Sequence, residues 1–104
     1  MKITQIGRVI AERILHGQVG GTPCEVVVRL GMPVRDEGAA KCWYCPYSIT
    51  TPENERVFYG AGFDSVQAIR IAFSNIGAEL ASRYPDMQLN WEGSVDLGFD
   101  LTPQ

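Results

Sequence analysis

The sequence predicts an α+β domain: an antiparallel meander of about four strands with one long helix packed on one face. Two observations support this fold class. Apolar residues recur at steps of three and four across residues 64–84, a spacing typical of an amphipathic helix. Before that helix, segments of alternating apolar and polar residues are joined by short loops, and short connections favour antiparallel neighbours.

The helix is predicted to run from Asp64 to Tyr84. Asp64 can accept a hydrogen bond from a first-turn amide while Gln67 reaches back, as in a capping box. Pro85 ends the helix because it has no amide hydrogen to donate. Gly77 lies in the apolar stripe, so we expect another backbone to approach closely there. The stripe predicted to be buried consists of Val66, Ile69, Phe73, Ile76, Leu80 and Tyr84.

The opposite side of this helix carries no charge, although a helix surface that faces water normally does. Three explanations are open: small neutral residues are tolerated in water, the C-terminal tail covers them, or a partner subunit covers them. The candidate interface on this side consists of Ala68, Ile71, Asn75 and Ala78. If a dimer uses the helix back, we expect Ile71 to be a contact.

Four strands are predicted before the helix, within residues 3–15, 24–30, 42–50 and 56–61. A glycine-rich turn is expected at 16–23 and a loop at 31–40. Pro46 predicts an edge or a bulge in the third strand, because proline cannot donate to a ladder. The first strand is apolar on both sides, so some apolar groups should stay uncovered on the sheet face away from the helix.

Composition excludes several classes of partner. Nine basic and twelve acidic residues give a net charge of −3, which offers no general attraction to nucleic acid or to anionic lipid. No run of apolar residues is long enough to span a membrane, and the N-terminus lacks a signal-peptide pattern. We therefore expect a cytoplasmic protein that binds neither nucleic acid nor membrane.

The C-terminal tail, residues 86–104, contains four acidic residues and no basic ones. Apolar residues alternate along it at a density that predicts packing against the body, either as a strand or as an extended arm. We therefore expect residues 1–104 to form one domain, with an acidic, apolar tail packed onto it.

Cys42 and Cys45 form a C-x-x-C pair, the sharpest chemical signal in the chain. A redox pair normally sits at a helix N-terminus, whereas the flanking pattern here is a strand, which points residues three apart to opposite faces. Adding Cys24 and His16 could suggest zinc, but Cys24 lies roughly 25 Å along the hairpin from Cys42 at about 3.4 Å per residue. We expect reduced structural thiols, no metal and no cofactor.

Five segments resemble a family of small bacterial proteins known only as a domain of unknown function. They are RLGMP at 29–33, CPYSI at 45–49, GFDSVQA at 62–68, IGAEL at 76–80 and DLGF at 96–99. The resemblance covers most of the chain and implies a bacterial cytosolic origin. It implies no activity and no catalytic residues.

The function expected from the sequence is that of a non-enzymatic protein-interaction or dimerisation module. The chain would form a homodimer or bind another protein, using the helix back or the uncovered sheet face. The alternative is a small thiol-redox or metal-binding protein that uses Cys42 and Cys45. No local motif places a base beside a nucleophile, although an enzyme is not thereby ruled out.

Overall fold

The computed structural model describes residues 3–38 and 42–99. Its elements are β1 (Val9–Val19), β2 (Thr22–Gly31), β3 (Val34–Arg35), β4 (Trp43–Thr50), β5 (Glu55–Gly62) and α1 (Ser65–Arg83), followed by a 3-10 turn at Pro85–Met87. The five strands of the described residues form one antiparallel sheet, and α1 packs on one of its faces. The α+β prediction is confirmed. No helix in the described ranges is both long enough and apolar enough to cross a membrane.

β4 lies in the middle of the sheet. β5 pairs with it along its whole length, while β2 and the two-residue β3 share its other edge. The prediction of an edge or a bulge at Pro46 is wrong, since the pairing of β4 with β5 runs past it without a shift. Pro46 is tolerated because it falls between Tyr47, which pairs with β2, and Tyr44, which pairs with β3.

The first hairpin differs from the predicted boundaries. β1 begins at Val9, because Gly7 has a φ of +67° and residues 3–8 leave the sheet to pass over Gly31. The turn is only Gly20-Gly21, both with positive φ, so residues predicted as a turn extend the two strands instead. A two-residue glycine turn is among the tightest hairpin connections. β3 was not predicted and lies within the predicted loop 31–40.

The predicted helix is confirmed almost to the residue. The Asp64 carboxylate accepts a hydrogen bond from the amide of Gln67 at 2.8 Å, and the helix ends at Arg83 with Tyr84 as its C-cap. The Gln67 side chain does reach back, but it accepts from the amide of Phe63, at 2.7 Å. One first-turn amide and the amide that precedes the cap are thus satisfied.

The buried stripe of α1 is rotated from its predicted position. The residues that face the sheet are Ala68, Ala72, Ile76 and Leu80. Val66, predicted to be buried, is 70% exposed, because it lies on a different side of the helix from Ala68 and Ala72. A Cβ at Gly60 would collide with the backbone of Ala72, so the helix lies directly on β5, and small residues are needed on both sides.

The tail packs as an extended arm with two isolated bridges, at His16↔Asn90 and Trp91↔Ser94. It ends, among described residues, at the buried Phe99, whose ring lies 5.9 Å from that of Phe73. A Cβ at Gly77 would meet the Phe99 carbonyl oxygen. The predicted close approach of a second backbone at Gly77 is therefore confirmed.

Candidate functional site

The two cysteines of the C-x-x-C pair have different surroundings. Cys45 is fully buried in β4, where its thiol lies 3.5 Å from the carbonyl oxygen of Gly31, and burial raises its pKa to about 11. Cys42 precedes the strand and is half-buried. Its hydrogen bond to the Tyr44 hydroxyl, together with desolvation, raises the pKa of Tyr44 to about 12. A redox thiol needs a lowered pKa, so the surroundings of Cys45 do not favour thiolate chemistry.

The strand register also separates the residues considered for zinc. Cys24 pairs with Gly17 at the turn end of the first hairpin, whereas Cys45 contacts Gly31 at the other end of β2. Seven residues of strand span roughly 24 Å. Within residues 3–38 and 42–99, no three His, Cys, Asp or Glu side chains come close enough together to hold a metal ion.

A polar cluster joins the helix to the sheet. Glu79 on α1 accepts a hydrogen bond from the buried hydroxyl of Tyr47 and ion-pairs with Arg56 and, at 3.2 Å, with Arg83. Burial and the bond to Glu79 both raise the pKa of Tyr47. Glu79 therefore offers no spare oxygen to a substrate, and the cluster fixes the helix against β4 and β5.

The candidate interface on α1 is divided by the fold. Ala68 is fully buried against β5, and Asn75 is half-buried and donates to the carbonyl oxygen of Tyr59 at 3.1 Å. Only Ile71, which is 38% exposed, and Ala78 lie at the surface. The interpretation of Ala68 as a surface residue is corrected, because the uncharged side of α1 is partly the side that packs on the sheet.

The outer edge of β1 is open over part of its length. Backbone groups point to alternate sides along an antiparallel strand. His16 exchanges two backbone hydrogen bonds with Asn90, at 2.9 and 2.8 Å, so its groups point away from β2. By alternation the amide and carbonyl groups of Ile14 and Glu12 also point away, and no described residue pairs with them.

Side chains along this edge are apolar as well as charged. Ile10 and Ile14 are 46% and 41% exposed, and Glu12 is held by Arg29 at 2.7 Å. Next to the edge lies an open notch of about 490 Å³. It is lined by Glu12, Arg13, Ile14, His16, Glu25, Trp91 and Glu92, and is therefore more acidic than basic.

A second, larger groove of about 790 Å³ runs between the second half of α1 and the tail. Its walls are mainly apolar, with Leu80 and Tyr84 on one side and Leu89 and Leu97 on the other. Asp96 is the only charged residue among the described residues that line it. A general acid and base would have to come from elsewhere for this groove to support catalysis.

A family model described as a domain of unknown function, DUF6968, matches residues 11–101. The chain belongs to this family. The expectation of a domain of unknown function is thereby confirmed, and family membership assigns no activity. No curated protein and no solved structure matches the chain.

Two features of this DUF6968 fold were missed from the sequence. Glu79 falls at helical spacing from Ala72 and Ile76, and a carboxylate on a buried stripe would have indicated a buried ion pair. The stacking of Arg13 on Trp91, with the guanidinium carbon 3.7 Å from the ring centroid, joins residues far apart in sequence. No local signal pairs those two residues.

Proposed function

We propose that this DUF6968 chain is a non-enzymatic protein-interaction module that works as a symmetric homodimer. The observation that carries the proposal is the apolar surface left after the helix and the tail have packed. The exposed residues on β1 and α1 include Val9, Ile10, Ile14 and Ile71, each between 38% and 46% exposed. Val9, Ile10 and Ile14 lie together on β1, and apolar side chains exposed in one place mark contact with another protein.

The ionisable groups inside the fold favour this proposal over thiol chemistry. The Cys45 thiol has a pKa raised to about 11, and a nucleophilic cysteine needs the opposite shift. The Tyr47 hydroxyl donates a hydrogen bond to the Glu79 carboxylate. These groups stabilise the helix–sheet packing rather than face a substrate.

A homodimer is the proposed assembly because two-fold dimers are the commonest closed oligomers. The proposed location is the bacterial cytoplasm. Three free cysteines support a reducing compartment, since they are few, odd in number and unpaired. The resemblance to small bacterial proteins supports the origin.

Sedimentation velocity from micromolar to submillimolar concentration tests the proposal. We expect a concentration-dependent shift from monomer to dimer, and a strict monomer over the whole range would overturn it. Thiol titration of the same sample should find Cys24 and Cys42 accessible and Cys45 unreactive until the protein unfolds. A Cys45 thiol that reacts rapidly in the folded protein and has a lowered pKa would instead support the redox function.

A further inference from the structure

We infer that the open stretch of β1, residues 10–14, pairs antiparallel with the same stretch of a second copy. The two sheets then become one continuous sheet across a two-fold axis at Glu12. This inference rests on the proposed homodimer and names the surface that forms it. It places the interface on a strand edge, away from Ile71 on the helix.

The backbone supplies the first reason. Four amide and carbonyl groups, those of Glu12 and Ile14, point outward without a partner among the described residues. Another strand is the natural partner for such an edge. With Glu12 on the axis, the two copies of Glu12 exchange both of their backbone hydrogen bonds, and Ile14 comes opposite Ile10 of the second copy.

The side chains of residues 10–14 are complementary to themselves in this register. Ile10 and Ile14 pair with each other twice, which covers four exposed β-branched side chains in the dimer. Ala11 comes opposite Arg13 of the second copy. The small alanine leaves room for Arg13, which already leans onto Trp91 of its own chain.

Both ends of the paired stretch are set by features of the monomer. At one end, β1 has a register shift between Val9 and Ala11, which turns the chain away from the edge. At the other end, Asn90 occupies the backbone groups of His16. The second strand therefore leaves the edge at the place where the edge is already filled.

Self-complementarity favours a second copy over an arbitrary strand, because one short stretch supplies both apolar partners, Ile10 and Ile14, of each cross-axis pair.

The register has one unfavourable contact, the two copies of Glu12 facing each other on the axis. Like charges directly opposite destabilise a strand pair. Each Glu12 is held by Arg29 of its own chain at 2.7 Å, which reduces the repulsion. The interface is also small, so we expect a dissociation constant in the micromolar range.

A charge-swap experiment tests both surface and register. Ile14→Glu and Ile10→Lys, each alone, should weaken the dimer at least about tenfold in sedimentation, because each places a charge against an isoleucine. The double variant pairs Lys with Glu across the axis twice and should return to within about threefold of wild type. Circular dichroism checks that each variant is folded.

Crosslinking gives an independent readout. Glu12→Cys should form a disulfide-linked dimer on mild oxidation, since paired residues on the axis lie about 5.5 Å apart at Cα. Ile71→Cys is the matched control and should stay monomeric in the same gel, with wild type showing the background from the natural cysteines.

The possible results distinguish failure of the edge pairing from failure of the homodimer proposal. A wild-type dimer that the single variants leave unchanged, or that Ile71→Cys crosslinks, overturns the edge pairing and keeps the homodimer. Single variants that weaken the dimer without rescue in the double variant overturn the register. A wild-type protein that stays monomeric overturns both proposals.

Discussion

The two outer strands of the sheet, β5 and β1, are covered differently. On the face of β5, α1 lies on Gly60, and the Asn75 side chain donates to the carbonyl oxygen of Tyr59. Along the edge of β1, Asn90 of the tail fills one position, at His16, and the next positions toward the N-terminus are open. The β5 contact is a packing of backbone against small residues, whereas the β1 edge meets only a few contacts from an extended arm.

Because of this difference, we expect one region to govern folding stability and the other to govern association. Close packing cannot change without a large loss of folding free energy, whereas an edge with free backbone groups can gain a partner without disturbing the core. Substitutions near β5 should therefore affect folding, and substitutions on β1 should affect assembly.

The largest effect is expected on β5, where α1 packs against the strand. Gly60→Val should cost about 4 kcal/mol or more, or prevent folding, because its side chain would collide with the backbone of Ala72. Ala61→Val is the matched control on the same strand, where the exposed alanine leaves room. Urea denaturation of both proteins makes the comparison. Equal stabilities would mean that α1 does not rest on β5.

The rotated stripe of α1 gives the next largest effect. Ile76→Ala should lower the free energy of unfolding by about 2 to 5 kcal/mol, because Ile76 is fully buried. Val66→Ala should change it by less than about 0.5 kcal/mol, since Val66 is 70% exposed. If denaturant melts gave similar losses for both, the stripe predicted from the sequence would be right and the rotated one wrong.

The arm that closes part of the β1 edge should be weaker. Trp91→Ala removes the stacking with Arg13 and should cost about 1 to 3 kcal/mol. The amide of His16 should also exchange faster, because its partner Asn90 sits next to Trp91. Val95→Ala, at a residue that is 90% exposed, is the control. Unchanged exchange at His16 in the tryptophan variant would show that other contacts hold the arm.

β4, which has neighbours on both sides, gives a prediction on pH. The folded pKa of Cys45 is raised from 9.0 to about 11. The contribution of this thiol to stability is therefore fully present below pH 9 and is lost as the pH rises to about 11. Between these two pH values the free energy of unfolding should fall by on the order of 1 kcal/mol per pH unit. Denaturation of wild type and Cys45→Ala on both sides of pH 9 checks this, and an identical slope in the variant would contradict it.

The smallest effect is expected on the back of the helix. Ile71→Glu should change stability by less than about 0.5 kcal/mol, because Ile71 contributes to the surface. If the dimer forms through β1, sedimentation of this variant should match that of wild type. A weakened dimer would move the interface from the strand edge to the helix.

The sequence by itself determined the helix and the approximate order of the four longer strands. Residues 64–84 predict α1 because its cap, its terminating proline and its apolar spacing are all local. The close approach at Gly77 was also predictable, since glycine in a helix interior is unfavourable unless something needs the space. Short loops were enough to predict antiparallel neighbours.

Only the tertiary structure decided which side of each element is buried. The sequence pattern placed Val66 in the buried stripe and Ala68 on the opposite side, yet Val66 is exposed and Ala68 is buried, because the position of the sheet decides which side of α1 is covered. The open edge at Glu12 and Ile14 depends on where Asn90, more than seventy residues away, meets His16. Local periodicity carries no information on that contact, because it reports the shape of one element and not the position of its neighbours.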